Sequence, residues 1–170
     1  KFQKQLLRYI FSRWGYSRSI GMFEYWNECD NKVDTKKRAT RDNWHKEMDS
    51  LIKSLDIYKR PTTTSYAWKD HIEFNATNTD AEPWKSQDFL EVANMHLYSN
   101  PDQDAVQRWI DQIAFTAKQH PGNTPVYFGE YSENNAENKP VKPSVERFFA
   151  EGIWAPIFFA DGAGSNLYWR

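Results

Sequence analysis

One cysteine in 170 residues leaves no internal disulfide to form, and Cys29 alone does not indicate a compartment. No apolar run is long enough to cross a bilayer, and no signal peptide opens the chain, so no membrane insertion is expected. Lys1 is not an initiator and the first residues already fall in a helical pattern, so upstream sequence is expected. Net charge is −1 with both signs scattered, which excludes the electrostatic footprint of a nucleic-acid or polyanion partner. The densest basic patch, Lys36-Lys37-Arg38 with Arg41, reads as a solvated loop ahead of a helix. No glycine-rich phosphate loop follows any expected strand, which counts against a nucleotide-binding open sheet. His45, His71 and His120 have neither metal-ligand spacing nor a His-Glu-x-x-His pattern. Surface or capping roles are expected for them, and no metal or cofactor. Asn75-Ala76-Thr77 matches a glycosylation triplet and carries no weight.

What the chain has is aromatic rings, 16% of all residues, eight of them tryptophan. Most should be core, because large rings dominate burial. Trp14, Trp44, Trp109 and Trp154 follow helix stripes and are assigned there. A minority near strand ends can offer flat faces for sugar rings.

Phe2, Leu6, Tyr9, Ile10, Arg13 and Trp14 recur at helical spacing, with Gly15 as the stop. Residues 20–28 read as a buried strand and 29–39 as a loop. Trp44, Met48, Leu51, Ile52 and Leu55 mark an amphipathic helix, capped by Thr40 or Asp42. Residues 62–66 form a β-branched run suited to a short strand. A long loop is expected over 68–82 and a short helix over 85–89. Strand 91–98 leads through Ser99-Asn100-Pro101 into a helix over 106–117, closed by Pro121-Gly122. Strand 124–130, a polar loop over 132–142, a helix over 143–159 kinked near Gly152 and Pro156, and a last strand over 166–169 complete the pattern.

Near-continuous apolar strands alternating with helices predict an α/β fold with parallel strands and crossover connections. Two of the strands end in glutamate: Met22-Phe23-Glu24-Tyr25-Trp26-Asn27-Glu28 and Val126-Tyr127-Phe128-Gly129-Glu130. A carboxylate at the mouth of a water-poor strand must be solvated or paired. In a (β/α)8 barrel the C-terminal strand ends gather the active site, and a doubly wound sheet is the rival architecture. Two carboxyls brought together there suit glycoside chemistry, one as proton donor and one as nucleophile or base.

Arg8-Tyr9-Ile10, Arg13-Trp14-Gly15, Trp26-Asn27-Glu28, His96-Leu97-Tyr98, Phe128-Gly129-Glu130 and Tyr168-Trp169 together resemble the cellulase and β-mannanase-like glycoside hydrolases. The resemblance covers essentially the whole chain. It implies the C-terminal part of a (β/α)8 TIM barrel, about strands four to eight, forming a single partial catalytic domain over residues 1–170. The rest of the barrel would lie elsewhere in the complete protein, and the segment alone would be inactive. By the same resemblance Glu28 is the general acid/base and Glu130 the nucleophile. Asn27 holds the sugar 2-hydroxyl, His96 and Tyr98 form the strand-six pair, and Trp169 is the platform under the sugar. It also implies a secreted, periplasmic or cell-surface enzyme acting on an oligo- or polysaccharide of mannan or glucan type, without a cofactor. The alternative is a non-catalytic carbohydrate-binding barrel that keeps the cleft.

Other residues have plainer readings. Glu24 shares strand parity with Glu28 and is expected in a structural ion pair. Cys29 is expected to pack rather than react. His96 is either a site residue or a core histidine, and Trp68 lines a subsite or packs.

Overall fold

The computed structural model describes residues 1–29, 38–67, 88–99, 105–119, 124–133, 152–160 and 165–167. Helix α1 (Phe2–Trp14) turns only Phe11 inward, where its ring meets Phe23 at 4.7 Å between centroids. Gly15 ends the helix, as its position predicts, yet stays right-handed at φ −57°. Its requirement is steric, since a Cβ there would lie 2.5 Å from the Phe11 carbonyl oxygen.

Helix α2 (Arg38–Leu55) buries Met48 and Ile52 as its periodicity predicts. It begins earlier than expected, so Thr40 and Asp42 lie within it and do not cap it. Arg41 is not part of a solvated loop. It is buried, pairs with Asp42 at 3.0 Å, and lies 5.5 Å from the centroid of the Tyr66 ring.

The described strands are all parallel. β1 (Phe23–Glu24) pairs with β2 (Thr62–Thr63), and β3 (Ser65–Tyr66), β4 (Ala93–Ser99), β5 (Val126–Glu133) and β6 (Ser165–Leu167) form a sheet in that order. Backbone bonds from Tyr25 N–H to Thr63 O and from Ser65 N–H to Trp26 O carry the first pairing past β1. Within each of the two sheets the described strands therefore follow chain order, with no reversal. A reversal is what a doubly wound sheet needs at its ligand crevice.

Strand 20–28 is much shorter than its apolar run suggests. Only Phe23–Glu24 is regular, and the chain turns at 27–28, where Glu28 takes φ 51°. Extended pairing cannot continue through a left-handed residue. Residues 88–89 form a turn, and the rest of the expected 85–89 helix lies outside the described residues. Helix α3 (Ala105–Gln119) forms where its stripe predicts and buries Ile113, but Ala114 of that stripe is exposed while the polar Gln112 and Thr116 are buried. Residues 152–154 are π-helical and run directly into α4 (Ala155–Ala160), an irregularity that falls where Gly152 and Pro156 predict one. The long loop over 68–82 lies outside the described residues.

The core lies between sheet and helices. Ala93, Met95 and Leu97 of β4 and Val126, Phe128 and Tyr131 of β5 pack with Ile113, Leu90, Tyr66 and Cys29. Trp14 and Trp154 are about half exposed and do not belong to the core to which their stripes assigned them. Trp44 is half-buried, edge-on to Trp26 at 5.6 Å, with its indole N–H donating to Gln3 Oε1 at 2.9 Å.

Candidate active site

On β4 the core takes Ala93, Met95 and Leu97, so alternation turns Asn94 and His96 to the opposite face. On β5 the same rule sends Val126 and Phe128 to the core and would send residue 130 with them. It does not, because the register slips by one residue: Met95 pairs with Phe128, but His96 pairs with Glu130 and Leu97 with Tyr131. Gly129 is the extra residue of a β-bulge. The bulge places Glu130 beside His96 and returns Tyr131 to the core.

Glu28 reaches the same place by a different route. Its backbone leaves the strand direction at φ 51°, and its N–H donates to Ser65 Oγ at 2.9 Å. Ser65 Oγ in turn donates to Asn27 Oδ1 at 3.3 Å. A non-glycine residue held at positive φ costs on the order of 1 kcal/mol or more and persists where surroundings over-determine it. Ser65 supplies one such determinant. It stands in the β-branched run that reads only as a strand, and its neighbour across the sheet was the missing signal.

His96 stands between the two carboxylates. Its Nδ1 is 2.9 Å from Glu28 Oε1 and 3.4 Å from Glu130 Oε2, and its side chain is 1% exposed against 26% and 20% for the glutamates. One ligand atom from each of Glu28, His96 and Glu130 lies within 4.8 Å of the other two. Two carboxylate oxygens are thus close enough to act on one small centre from two sides. Among the described residues these three could also hold a divalent ion, although the close approach of Nδ1 to Glu28 is accounted for by a hydrogen bond.

Glu130 is not terminal to its strand, because β5 runs on to Glu133, and Glu28 lies four residues past β1. The two glutamates converge through a bulge and a turn, and not by ending strands. Asn27 adjoins Glu28 through Ser65. The side chains of Tyr98 and Trp109 and all of Trp68, Trp169, His71 and His120 lie outside what is described.

Two plainer expectations are corrected and a third holds. Glu24 is exposed and forms no ion pair among the described residues. It lies beside Tyr127, whose hydroxyl is pushed up by burial and by that carboxylate. His45 is neither on the surface nor capping but fully buried, with Nδ1 2.9 Å from Arg41 O and Nε2 3.1 Å from Thr64 Oγ1. Burial lowers its pKa from 6.5 to about 4. Helix parity hid it, because apolar stripes do not register a polar residue with internal partners. Cys29 packs in the core as expected, next to Tyr66, whose hydroxyl is raised well above its ordinary value by burial first and by Cys29 second.

No family model matches the chain, and no curated protein matches its sequence. Solved structures do share its fold. A β-glucuronidase of Faecalibacterium prausnitzii aligns over 98% of this chain at TM-score 0.64 and 15% identity. A Bifidobacterium dentium β-glucuronidase complexed with coumarin-3-O-glucuronide aligns over 98% at 0.64 and 17%. A GH2 β-galacturonidase from Eisenbergiella tayi bound to galacturonate aligns over 97% at 0.61 and 17%. The likeness is one of fold. The chain spans only 27–28% of the length of these proteins.

Proposed function

We propose that the complete protein is a retaining glycoside hydrolase of β-linked glycans, with Glu130 as nucleophile and Glu28 as acid/base. The observation that carries this reading is the pair of carboxylate oxygens within 4.8 Å, with His96 hydrogen-bonded to Glu28 and 3.4 Å from Glu130. Retaining enzymes hold their two carboxyls about 5–5.5 Å apart, whereas inverting ones leave roughly 6.5–9.5 Å for a water. The fold neighbours, named as β-glycuronidases, support the reaction class. Parallel strands that follow one another without reversal support these elements as strands four to eight of a (β/α)8 barrel.

In this reading Glu130 attacks the anomeric carbon while Glu28 gives its proton to the leaving glycosidic oxygen. The resulting glycosyl ester is hydrolysed when Glu28, now a carboxylate, takes a proton from an incoming water. His96 Nδ1–H donates to Glu28 Oε1 and steers which carboxylate oxygen faces the sugar. Asn27 would reach the 2-hydroxyl, and Tyr98, Trp68 and Trp169 are assigned to the sugar site on sequence alone. Mannan or glucan is the substrate that the motif resemblance favours, in a secreted, periplasmic or cell-surface setting.

The test takes the full-length protein through aryl β-mannosides, β-glucosides and β-glucuronides together with mannan and glucan. Proton NMR reads the first anomer released. A β-product appearing before mutarotation is expected. An α-product would overturn the retaining mechanism, and binding without turnover on every substrate would favour the non-catalytic barrel.

A further inference from the structure

We propose that Asn94 is the positioning residue that aims Glu130, by holding the β5 bulge open at Gly129. This rests on the reading of Glu130 as the reacting carboxylate. Asn94 is 1% exposed, and its Oδ1 accepts the Gly129 N–H at 2.8 Å. That N–H belongs to the extra residue of the bulge, which drops out of the ladder between Phe128 and Glu130. A bulged residue loses its cross-strand partner, so its N–H needs another acceptor. Asn94 supplies the acceptor from two residues before His96, on the same face of β4. One strand therefore carries both the group beside Glu130 and the group that fixes the backbone turn leading to it.

Two further observations point the same way. The Asn94 Nδ2 is buried with no hydrogen-bond partner among the described residues. An apolar side chain of that size would avoid the orphan, so the amide is explained by its oxygen. The fit is also tight. A Cβ on Gly129 would stand 2.4 Å from Asn94 Oδ1 and 3.0 Å from Nδ2. Residues 94 and 129 fill one space between them: a side chain at either position requires none at the other. If the bulge closed, the period of two would return residue 130 to the core face and take its carboxylate from His96.

The reciprocal swap tests this in the full-length protein, using Asn94→Ala, Gly129→Ala and the double variant. With an activated aryl glycoside, Asn94→Ala is expected to lose 10- to 100-fold in kcat with KM within about twofold, as a 1 Å misplacement of a reacting group costs. Gly129→Ala should lose more, and the double variant should recover at least tenfold over Gly129→Ala, because its Cβ finds the room that Asn94 vacates. Crystal structures of Asn94→Ala and the double variant supply a readout independent of turnover. The His96 Nδ1 to Glu130 Oε2 spacing, 3.4 Å in the wild type, should widen in the first. Glu130 left in place in Asn94→Ala, or a double variant no better than Gly129→Ala, would overturn the positioning role. A wild type that cleaves no glycoside would instead overturn the hydrolase reading, and the crystallographic arm would still decide the role of Asn94.

Discussion

His96 Nδ1 stands 2.9 Å from Glu28 Oε1, joining two residues that lie 68 apart in the chain. The same nitrogen is 3.4 Å from Glu130 Oε2. One ring nitrogen offers one hydrogen-bonding position, and the shorter spacing assigns it to Glu28, with Glu130 a neighbour.

Removing the ring should therefore affect Glu28 more than Glu130. A hydrogen bond to a charged group contributes about 1.5–3 kcal/mol. His96→Ala is expected to lower kcat roughly 10- to 100-fold, most on substrates that need proton donation. The measurement is kcat on paired aryl glycosides of good and poor leaving groups. Equal losses on both would place His96 outside proton transfer.

The two glutamates should separate by leaving group. Glu28→Ala should lose about 10²- to 10⁴-fold on a natural glycan and much less on a dinitrophenyl glycoside, which departs unprotonated. Azide should restore its turnover and yield a glycosyl azide, because azide attacks without a general base. Glu130→Ala should be inactive on both substrates. Activity retained in Glu130→Ala, together with a uniform loss in Glu28→Ala, would reverse the roles.

His45 makes stability depend on pH. Burial lowers its folded pKa from 6.5 to about 4. Between those values the unfolded chain binds a proton that the folded chain refuses, so stability falls as pH drops from about 6.5 to 4 and is full above that window. The total is on the order of 3 kcal/mol. Denaturant unfolding at pH 7.5, 5.5 and 4.5 should show a shallower loss in His45→Gln than in the wild type. Parallel losses would mean that other groups govern the acid limb.

Gly152 tests packing behind the site. A Cβ there would fall 2.0 Å from the ring of Tyr131, which is fully buried beside Glu130. Gly152→Ala should cost roughly 1–3 kcal/mol by overpacking. Gly21→Ala, whose Cβ would meet nothing within 4 Å, is the control and should be close to neutral. Equal unfolding midpoints for the two variants would contradict the packing.

The sequence makes the alternation of strands and helices legible because apolar period survives almost any tertiary context. It makes Glu28, His96 and Glu130 legible as a group for the same reason, since each interrupts an apolar run. It does not reveal how they meet. The slip at Gly129 looks like plain alternation until β4 is laid against it, and the left-handed turn at Glu28 looks like more strand. His45 and Arg41 were misread because a polar residue on a helix is taken as solvated unless its partners are known. Those partners, Thr64 and Tyr66, come from a different element.

The backbone at Glu28 has an evolutionary slope built into it. At φ 51° glycine would sit without strain, and any side chain there is held against a local preference. Glu28→Gly would ease the turn, but it would also leave the buried His96 Nδ1 without its partner at 2.9 Å. Under the roles proposed above, that one-codon change would turn a hydrolase into a sugar-binding barrel, with the relieved turn offsetting part of the lost hydrogen bond.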